Sequence, residues 1–213
     1  MNRRLALLVL PLLLAVAGCT SGTADDPAPR PAAAAAERPS PFRDCTGLST
    51  APTPAAGTAA SPGSATATPN AGGQELPELT LACFTGGSPI ALRDVAGPAV
   101  INVWASWCPP CRKELPAFQR LSVRAAGQLQ VIGVNSRDSR GGAQSIGEDF
   151  GVRFPILVDQ GEALQRELKR NAIPLTLFVD ADGRIRHIDA TGALDDAQLA
   201  KLVRQHLGLA VPA

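Results

Sequence analysis

The distribution of bulky apolar residues separates a part of the chain that can build a hydrophobic core from a part that cannot. Between residues 20 and 75, 43 of the 56 residues are Ala, Pro, Thr, Ser or Gly, and Phe42 and Leu48 are the only large apolar side chains. Burial of two such side chains cannot offset the entropy that is lost when a segment of this length becomes ordered. We therefore predict that residues 19–75 form a flexible stalk and that residues 76–210 form one domain with a core of its own.

The N-terminus has the pattern of an export signal. Two basic residues, Arg3 and Arg4, precede an apolar run over residues 5–16. As a helix this run would be about 18 Å long, which is too short for a bilayer core of about 30 Å. The pattern therefore predicts a signal peptide over residues 1–18 rather than a permanent membrane span.

The end of the apolar run, Val16-Ala17-Gly18-Cys19, resembles the bacterial lipobox. In that class of signal, cleavage falls before the Cys, and the thiol of the Cys is then lipidated. The resemblance implies that a lipid on Cys19 anchors the protein to the cell membrane on its extracytoplasmic face. The alternative is an ordinary secretory signal with an incidental Cys, and in both cases the protein leaves the cytoplasm.

The charge balance gives no argument for a nucleic-acid partner. Lys and Arg total 20 and Asp and Glu total 19, so the net charge is +1. Binding to DNA or RNA rests on an excess of basic residues that neutralise phosphates. We therefore expect no nucleic acid among the partners of this protein.

Segments with the patterns of strands and helices alternate through the domain. We predict a lead-in hairpin from residues 79–83 and 89–92, and further strands at residues 100–104, 129–134, 156–158, 175–179 and 185–188. Helices are predicted at residues 109–126, 143–150, 163–170 and 194–207. The last two strands flank Asp182-Gly183, which is a strong hairpin signal. This alternation indicates an α/β fold.

Two cysteines, Cys108 and Cys111, lie where the strand at residues 100–104 passes into the helix at residues 109–126. Such a pair can close to a disulfide or open to a dithiol. At the start of a helix, the sulfur of Cys108 lies near unpaired backbone N–H groups and the positive end of the helix dipole, which favour the attacking thiolate. Cys111 lies one turn further and is expected to be more buried and to resolve a mixed disulfide.

Two other interpretations of this cysteine pair carry less weight. Half of a zinc site would need two more ligands, but no second pair of this spacing exists, and His187 and His206 lack ligand spacing. The other interpretation is an inert structural disulfide. We therefore expect neither a metal nor another cofactor.

The two residues between the cysteines, Pro109 and Pro110, affect the redox potential. Neither has a backbone N–H, so two donors that would otherwise point at the Cys108 thiolate are missing. A less stabilised thiolate has a higher pKa and gives a less oxidising couple. This argument favours a reductant over a strong oxidant.

The segment from Val100 to Cys111, with Trp107 before the first cysteine, resembles the active-site strand and turn of the TlpA/ResA-like thiol–disulfide oxidoreductases, which have a thioredoxin fold. Pro116 matches the proline that kinks the active-site helix of that fold. Pro174 precedes a strand at the position where the fold carries a cis-proline that faces the cysteines.

The resemblance covers roughly residues 77–209. It implies a central mixed sheet with helices on both faces, an N-terminal lead-in hairpin, and an insertion at residues 136–158 similar to that of TlpA-like proteins. Asn102 stands where cytosolic thioredoxins have a buried Asp, and it fits the TlpA-like branch better.

Glu114 has two interpretations. It lies three residues after Cys111, where ResA-like proteins carry an acid near the active-site cavity, and an acid there can exchange the proton of Cys111. Alternatively, Glu114 is an acid in the first turn of a helix, where the dipole alone contributes about 0.3–1 kcal/mol.

Two further cysteines, Cys45 and Cys83, remain outside the active-site pair. In an oxidising compartment we expect them to form a structural disulfide, whose loop would contribute about 4 kcal/mol in the chain-entropy model. This bond would tie an island at residues 42–48 to the lead-in hairpin. The alternative is a second redox pair that relays electrons.

Three classes of function follow. The resemblance implies a membrane-tethered oxidoreductase that reduces disulfides of client proteins such as apocytochrome c, with a membrane thiol–disulfide protein as its electron donor or acceptor. The alternatives are an oxidase that introduces disulfides into secreted proteins, and a non-catalytic binding lipoprotein on a thioredoxin scaffold. A peroxidase is disfavoured, since its single peroxidatic Cys would not lie in such a turn. We expect a monomer.

The lipid anchor can be tested at Cys19. The Cys19→Ser variant should move from the membrane fraction into the soluble or uncleaved pool, because it has no thiol to acylate. The measurement is the partition of the full chain between these fractions, with Ser21→Ala as the control. Unchanged partitioning, with an unmodified mature N-terminus in the natural sequence, would contradict lipidation.

Overall fold

A computed structural model describes residues 38–53 and 72–213. The predicted signal peptide at residues 1–18, Cys19 and most of the predicted stalk lie outside the described residues.

Within the described residues, eight strands form one mixed sheet in the order β1-β8-β7-β4-β5-β6-β2-β3. Strands β4, β5 and β6 are parallel to one another, and β7 and β8 are antiparallel to their neighbours. The strands are β1 (Gln74–Glu75), β2 (Thr80–Cys83), β3 (Ile90–Ala91), β4 (Ala99–Trp104), β5 (Gln130–Ser136), β6 (Ile156–Asp159), β7 (Leu175–Val179) and β8 (Arg184–Asp189).

The helices occupy both faces of this sheet. They are α1 (Pro109–Arg124), α2 (Arg140–Asp149), α3 (Ala163–Glu167) and α4 (Asp196–Leu207), with a 3₁₀ turn at Leu92–Asp94. The thioredoxin-like α/β fold, the lead-in hairpin of β2 and β3, and the inserted helix and strand α2 and β6 agree with the predictions from sequence. No helix among the described residues is both long and apolar enough to cross a membrane.

Polar capping groups set helix boundaries that hydrophobic spacing had placed elsewhere. Helix α2 begins three residues before its predicted start, because the Ser139 side chain caps it by accepting a hydrogen bond from the Gly142 backbone N–H at 3.0 Å. Helix α4 begins after Asp195, which forms a reciprocal capping box with Gln198. Helix α3 ends early, since the chain turns at Lys169 with a φ of 54°.

The central strand β4 is buried over its whole length and contributes to two cores. Val100 and Trp104 lie in the core that contains Phe118 of α1 and side chains of α4. Ile101 and Val103 belong to the core on the opposite face, together with residues of α3. Burial on both faces explains why the sequence of β4 is a nearly continuous apolar run.

Residues 39–53, here called the N-terminal strap, belong to the same compact unit as the sheet, so the domain begins earlier than the predicted residue 76. Phe42 and Leu48 are both buried. Phe42 packs edge-on against Phe84, with ring centroids 4.8 Å apart. Two apolar side chains cannot form a core alone, but they suffice to attach a short segment to a core that already exists.

A disulfide joins the strap to the sheet. Cys45 and Cys83, the latter at the end of β2, are bonded with their Cα atoms 6.0 Å apart. The Leu48 carbonyl oxygen also accepts hydrogen bonds from the Ala96 backbone N–H at 2.8 Å and from the Gln130 side chain at 3.1 Å. The strap is therefore held at several points along its length.

Removal of the Cys45–Cys83 disulfide should lower stability without abolishing thiol exchange. The bond spans 38 residues, so the double variant Cys45→Ala/Cys83→Ala should lose about 4 kcal/mol of unfolding free energy in the chain-entropy model. The measurement is denaturant unfolding of the oxidised protein, with exchange activity at Cys108 assayed in parallel. Mild reductant should open Cys108–Cys111 first, and equal lability of the two bonds would instead favour an electron relay.

Candidate active site

Cys108 and Cys111 lie at the N-terminus of α1, which follows the buried end of β4. Cys108 is the N-cap of the helix, and the Cys111 backbone N–H donates to its sulfur at a distance of 3.2 Å. The two sulfurs form a disulfide of 2.00 Å. Cys108 is 3% exposed and Cys111 is 0% exposed, so Cys108 is the marginally more accessible member of the pair.

Pro109 and Pro110 are the first two residues of α1. Because neither has an N–H, the Cys111 N–H is the first amide of the helix that can donate to the Cys108 sulfur. One donor thus remains where a helix start offers up to three. The environment of Cys108 stabilises a thiolate through the helix N-terminus, but less strongly than a proline-free turn would.

The loop before β7 brings Pro174 to the cysteines. The Ile173–Pro174 peptide bond is cis, and Pro174 is buried. The Ile173 carbonyl oxygen lies 3.9 Å from the Cys108 sulfur. Two segments that are more than sixty residues apart in sequence therefore meet at the less buried cysteine.

Trp107 is the most exposed group of the active-site turn. Trp107 is 57% exposed, yet its indole N–H donates a hydrogen bond to the Arg137 carbonyl oxygen at 2.9 Å. The apolar ring therefore lies at the surface next to Cys108, and the hydrogen bond to Arg137 fixes its orientation.

Asp138 also belongs to the surroundings of the active-site turn, and sequence reasoning missed it. Its carboxylate accepts hydrogen bonds from the backbone N–H and the hydroxyl of Ser106, both at 2.6 Å. Asp138 lies more than thirty residues from Ser106 in a loop of the insertion, so no local spacing pointed to it. The adjacent Ser139 helix cap was the one signal that this loop is structured.

Glu114 is a buried acid in the second turn of α1, only 1% exposed. Its Oε1 accepts a hydrogen bond from Asn102 Nδ2 of β4 at 2.6 Å. Its Oε2 accepts from the Leu194 backbone N–H, just before α4, at 3.1 Å. The interpretation of Glu114 as an acid of the first helical turn is therefore wrong, because the side chain points into the core beneath the active-site helix.

Burial raises the pKa of Glu114 from its ordinary 4.5 to about 7. The hydrogen bonds from Leu194 and Asn102 favour the carboxylate and oppose this rise, while the nearby charge of Asp189 adds to it. Glu114 can therefore gain or lose a proton close to neutral pH.

His187 and His206 pack against each other. Their rings are stacked with centroids 4.0 Å apart. Within residues 38–53 and 72–213, no group of three or more His, Cys, Asp and Glu side chains is arranged to hold a metal ion.

A disulfide between two cysteines at a helix start, beside a buried proline on a thioredoxin-like sheet, is the arrangement of thiol–disulfide oxidoreductases. Comparison with known proteins agrees with this class. Residues 72–188 match the AhpC/TSA family, and the chain belongs to this family. The chain is 32% identical over 120 residues to the thioredoxin-like protein YneN of Bacillus subtilis, an alignment that covers 54% of this chain and 69% of YneN.

Two other similar proteins are named for thiol chemistry. The thiol-disulfide oxidoreductase ResA of Bacillus subtilis is 27% identical over 130 residues, which are 60% of this chain and 71% of ResA. The crystal structure of a secreted thiol-disulfide isomerase from Corynebacterium glutamicum superimposes with a TM-score of 0.55 at 27% identity, covering 65% of this chain and 87% of the isomerase. The predicted resemblance to ResA-like proteins is confirmed, and the chain is a thiol–disulfide oxidoreductase.

The protonation of Glu114 predicts how stability depends on pH. As the pH rises from about 4.5 to about 7, the unfolded chain has already lost this proton while the folded protein retains it, so the unfolding free energy falls. Relative to the Glu114→Gln variant, the natural protein should lose about 3 kcal/mol across this window. The measurement is denaturant unfolding at a series of pH values, with the exposed Glu167→Gln as control. Parallel curves for the natural protein and Glu114→Gln would contradict a raised pKa.

Proposed function

We propose that this oxidoreductase reduces disulfides of client proteins outside the cytoplasm, with Cys108 as the attacking thiol and Cys111 as the resolving thiol. The observation that carries the proposal is the position of Cys108. Its sulfur caps α1, accepts a hydrogen bond from the Cys111 N–H and lies beside the Pro174 loop, and Cys108 is the less buried of the two residues.

The reaction transfers two electrons from the enzyme dithiol to the client disulfide. The Cys108 thiolate attacks one client sulfur, forming a mixed disulfide, and the other client sulfur leaves as a thiolate that takes up a proton. Cys111 then loses its proton, and its thiolate attacks the Cys108 sulfur. The client is released with both of its sulfurs reduced, and the enzyme is left with the Cys108–Cys111 disulfide.

Glu114 supplies the proton acceptor for the resolving step in this proposal. Cys111 is fully buried, so its proton does not pass directly to bulk water. Glu114 follows Cys111 by three residues in α1, a spacing that places two side chains on the same helix face. A carboxyl group with a pKa of about 7 accepts and releases protons readily at neutral pH.

Asn102 can serve both protonation states of Glu114. In the present arrangement its Nδ2 donates to the carboxylate, and its Oδ1 has no hydrogen-bond partner in the described part of the chain. Rotation of the amide would let Oδ1 accept a hydrogen bond from the O–H of a protonated Glu114. The pair would then keep one hydrogen bond in each state, which lowers the cost of moving the proton.

The direction of electron flow follows from the turn between the cysteines. Pro109 and Pro110 supply no N–H to the Cys108 sulfur, and only the Cys111 N–H donates to it from α1. The limited stabilisation of the thiolate favours the oxidised enzyme and hence a reducing couple. The alternative direction, oxidation of secreted proteins, would require a potential near about −120 mV instead of about −270 mV.

The location follows from the N-terminal sequence. The proposed signal peptide at residues 1–18 and the lipidated Cys19 would tether the domain to the extracytoplasmic face of the cell membrane. There it would meet client proteins with Cys pairs, apocytochrome c among them, and a membrane thiol–disulfide protein that restores its dithiol. The exposed Trp107 ring offers an apolar contact for the client segment next to the disulfide.

The roles of the two cysteines can be tested by trapping. The Cys111→Ser variant should accumulate mixed disulfides through Cys108, because the resolving thiol is missing. The measurement is non-reducing electrophoresis with mass spectrometry of the linked peptides. The matched control, Cys108→Ser, should trap little, and faster alkylation of Cys111 than of Cys108 in the reduced natural protein would reverse the assignment.

A further inference from the structure

The loop between β5 and α2 holds the active-site turn through two consecutive residues, Arg137 and Asp138. We infer that Asp138 is a positioning residue for thiol exchange. Its carboxylate fixes the turn that presents Cys108, and its negative charge opposes the Cys108 thiolate and keeps the couple reducing. The inference rests on the proposed role of Cys108 as the attacking thiol.

Asp138 is 7% exposed, and its carboxylate is surrounded by hydrogen-bond donors. Oδ2 accepts from the Ser106 N–H at 2.6 Å and from Asn135 Nδ2 at 2.8 Å. Oδ1 accepts from the Ser106 hydroxyl at 2.6 Å and from the Ser139 N–H at 2.8 Å. Each carboxylate oxygen therefore accepts two hydrogen bonds.

These contacts connect three parts of the fold at one point. Asn135 belongs to β5, Ser139 is the N-cap of α2, and Ser106 lies between β4 and α1, two residues before Cys108. Two hydrogen bonds from one residue to the same carboxylate restrict rotation of the Ser106 backbone as well as its side chain. The position of Cys108 at the start of α1 is therefore tied to the insertion as well as to the sheet.

The neighbouring Arg137 reinforces this contact. Its carbonyl oxygen accepts the indole N–H of Trp107, so successive residues of the loop hold successive residues of the turn. Arg137 has a φ of 47°, a left-handed conformation that is unfavourable for a residue with a side chain. Its own N–H donates to the Asp159 carbonyl oxygen at 3.2 Å, which helps to hold this conformation.

The carboxylate of Asp138 is bonded to Ser106, two residues before Cys108, so its charge is held beside the turn that carries the attacking sulfur. A negative group close to a thiol disfavours the thiolate, and low exposure weakens the screening by water. A less stable thiolate destabilises the reduced enzyme relative to the disulfide. The charge therefore acts in the same direction as the missing N–H groups of Pro109 and Pro110.

The Asp138→Asn variant removes the charge and keeps the shape of the side chain, and its remaining oxygen can still accept from the Ser106 and Asn135 donors. We expect its redox equilibrium with glutathione to shift about tenfold toward the reduced enzyme, which is about 30 mV for two electrons. The Cys108 thiol pKa should fall at the same time. The matched control is Asp159→Asn, which alters another buried carboxylate whose donors are the Ala163 and Leu164 N–H groups of α3. This control should leave the equilibrium unchanged.

The Ser106→Ala variant tests positioning with the charge of Asp138 retained. Its equilibrium with glutathione should match the natural protein. Its rate constant for attack on a model disulfide, measured with Cys108 fully ionised, should fall about fivefold, roughly 1 kcal/mol of barrier. If Asp138→Asn does not fold, this rate constant decides the inference, and a natural value overturns it.

The remaining outcomes separate this inference from the proposed function. An unchanged equilibrium in a folded Asp138→Asn variant, or an equal shift in Asp159→Asn, overturns the role of Asp138. Failure of the natural protein to exchange with glutathione through Cys108 overturns the proposed function instead.

Discussion

The active site depends on the burial of β4 on both faces. Because every residue of this central strand is buried, its position is determined by two cores. Its C-terminal end at Trp104 is therefore fixed. Helix α1 starts five residues later, with Cys108 as its cap. The electrostatic field of the helix start therefore acts on a sulfur whose location is set by packing, not by a mobile loop.

Two buried carboxyl groups flank the active-site helix, and their surroundings give them different properties. Asp138 has four hydrogen-bond donors around it, two on each carboxylate oxygen. Glu114 has two donors, whose lowering effect on its pKa is outweighed by deep burial, so the pKa rises to about 7 and the group exchanges protons near neutral pH. One acid is suited to position the turn and the other to accept a proton, a division set by the number of donors and by desolvation.

The parts of the structure that escaped prediction are those formed by contacts between distant segments. The attachment of residues 42–48 through Cys45 and Cys83 was predicted, but the strap was still assigned to the stalk, because Phe42 and Leu48 cannot build a core alone and the core against which they pack is supplied by the sheet. The predicted start of α2 was too late, because Gly141 and Gly142 have a low helix propensity, whereas the helix begins at the Ser139 cap. Asp138 gave no signal, since an isolated acid in a polar loop has no period or spacing.

The sequence by itself determined the α/β alternation and the strand-to-helix junction that carries Cys108 and Cys111. It also determined that the two residues between these cysteines, both prolines, have no backbone N–H donor. These features follow from local periodicity and from the covalent chemistry of proline, which act over a few residues. The family resemblance also implied that Pro174 faces the cysteines. Only the tertiary structure decided that Glu114 is buried and that Asp138 holds Ser106. Burial and long-range hydrogen bonds arise when strands from distant parts of the chain pair, so the pKa of Glu114 and the fixed position of the turn belong to the fold as a whole.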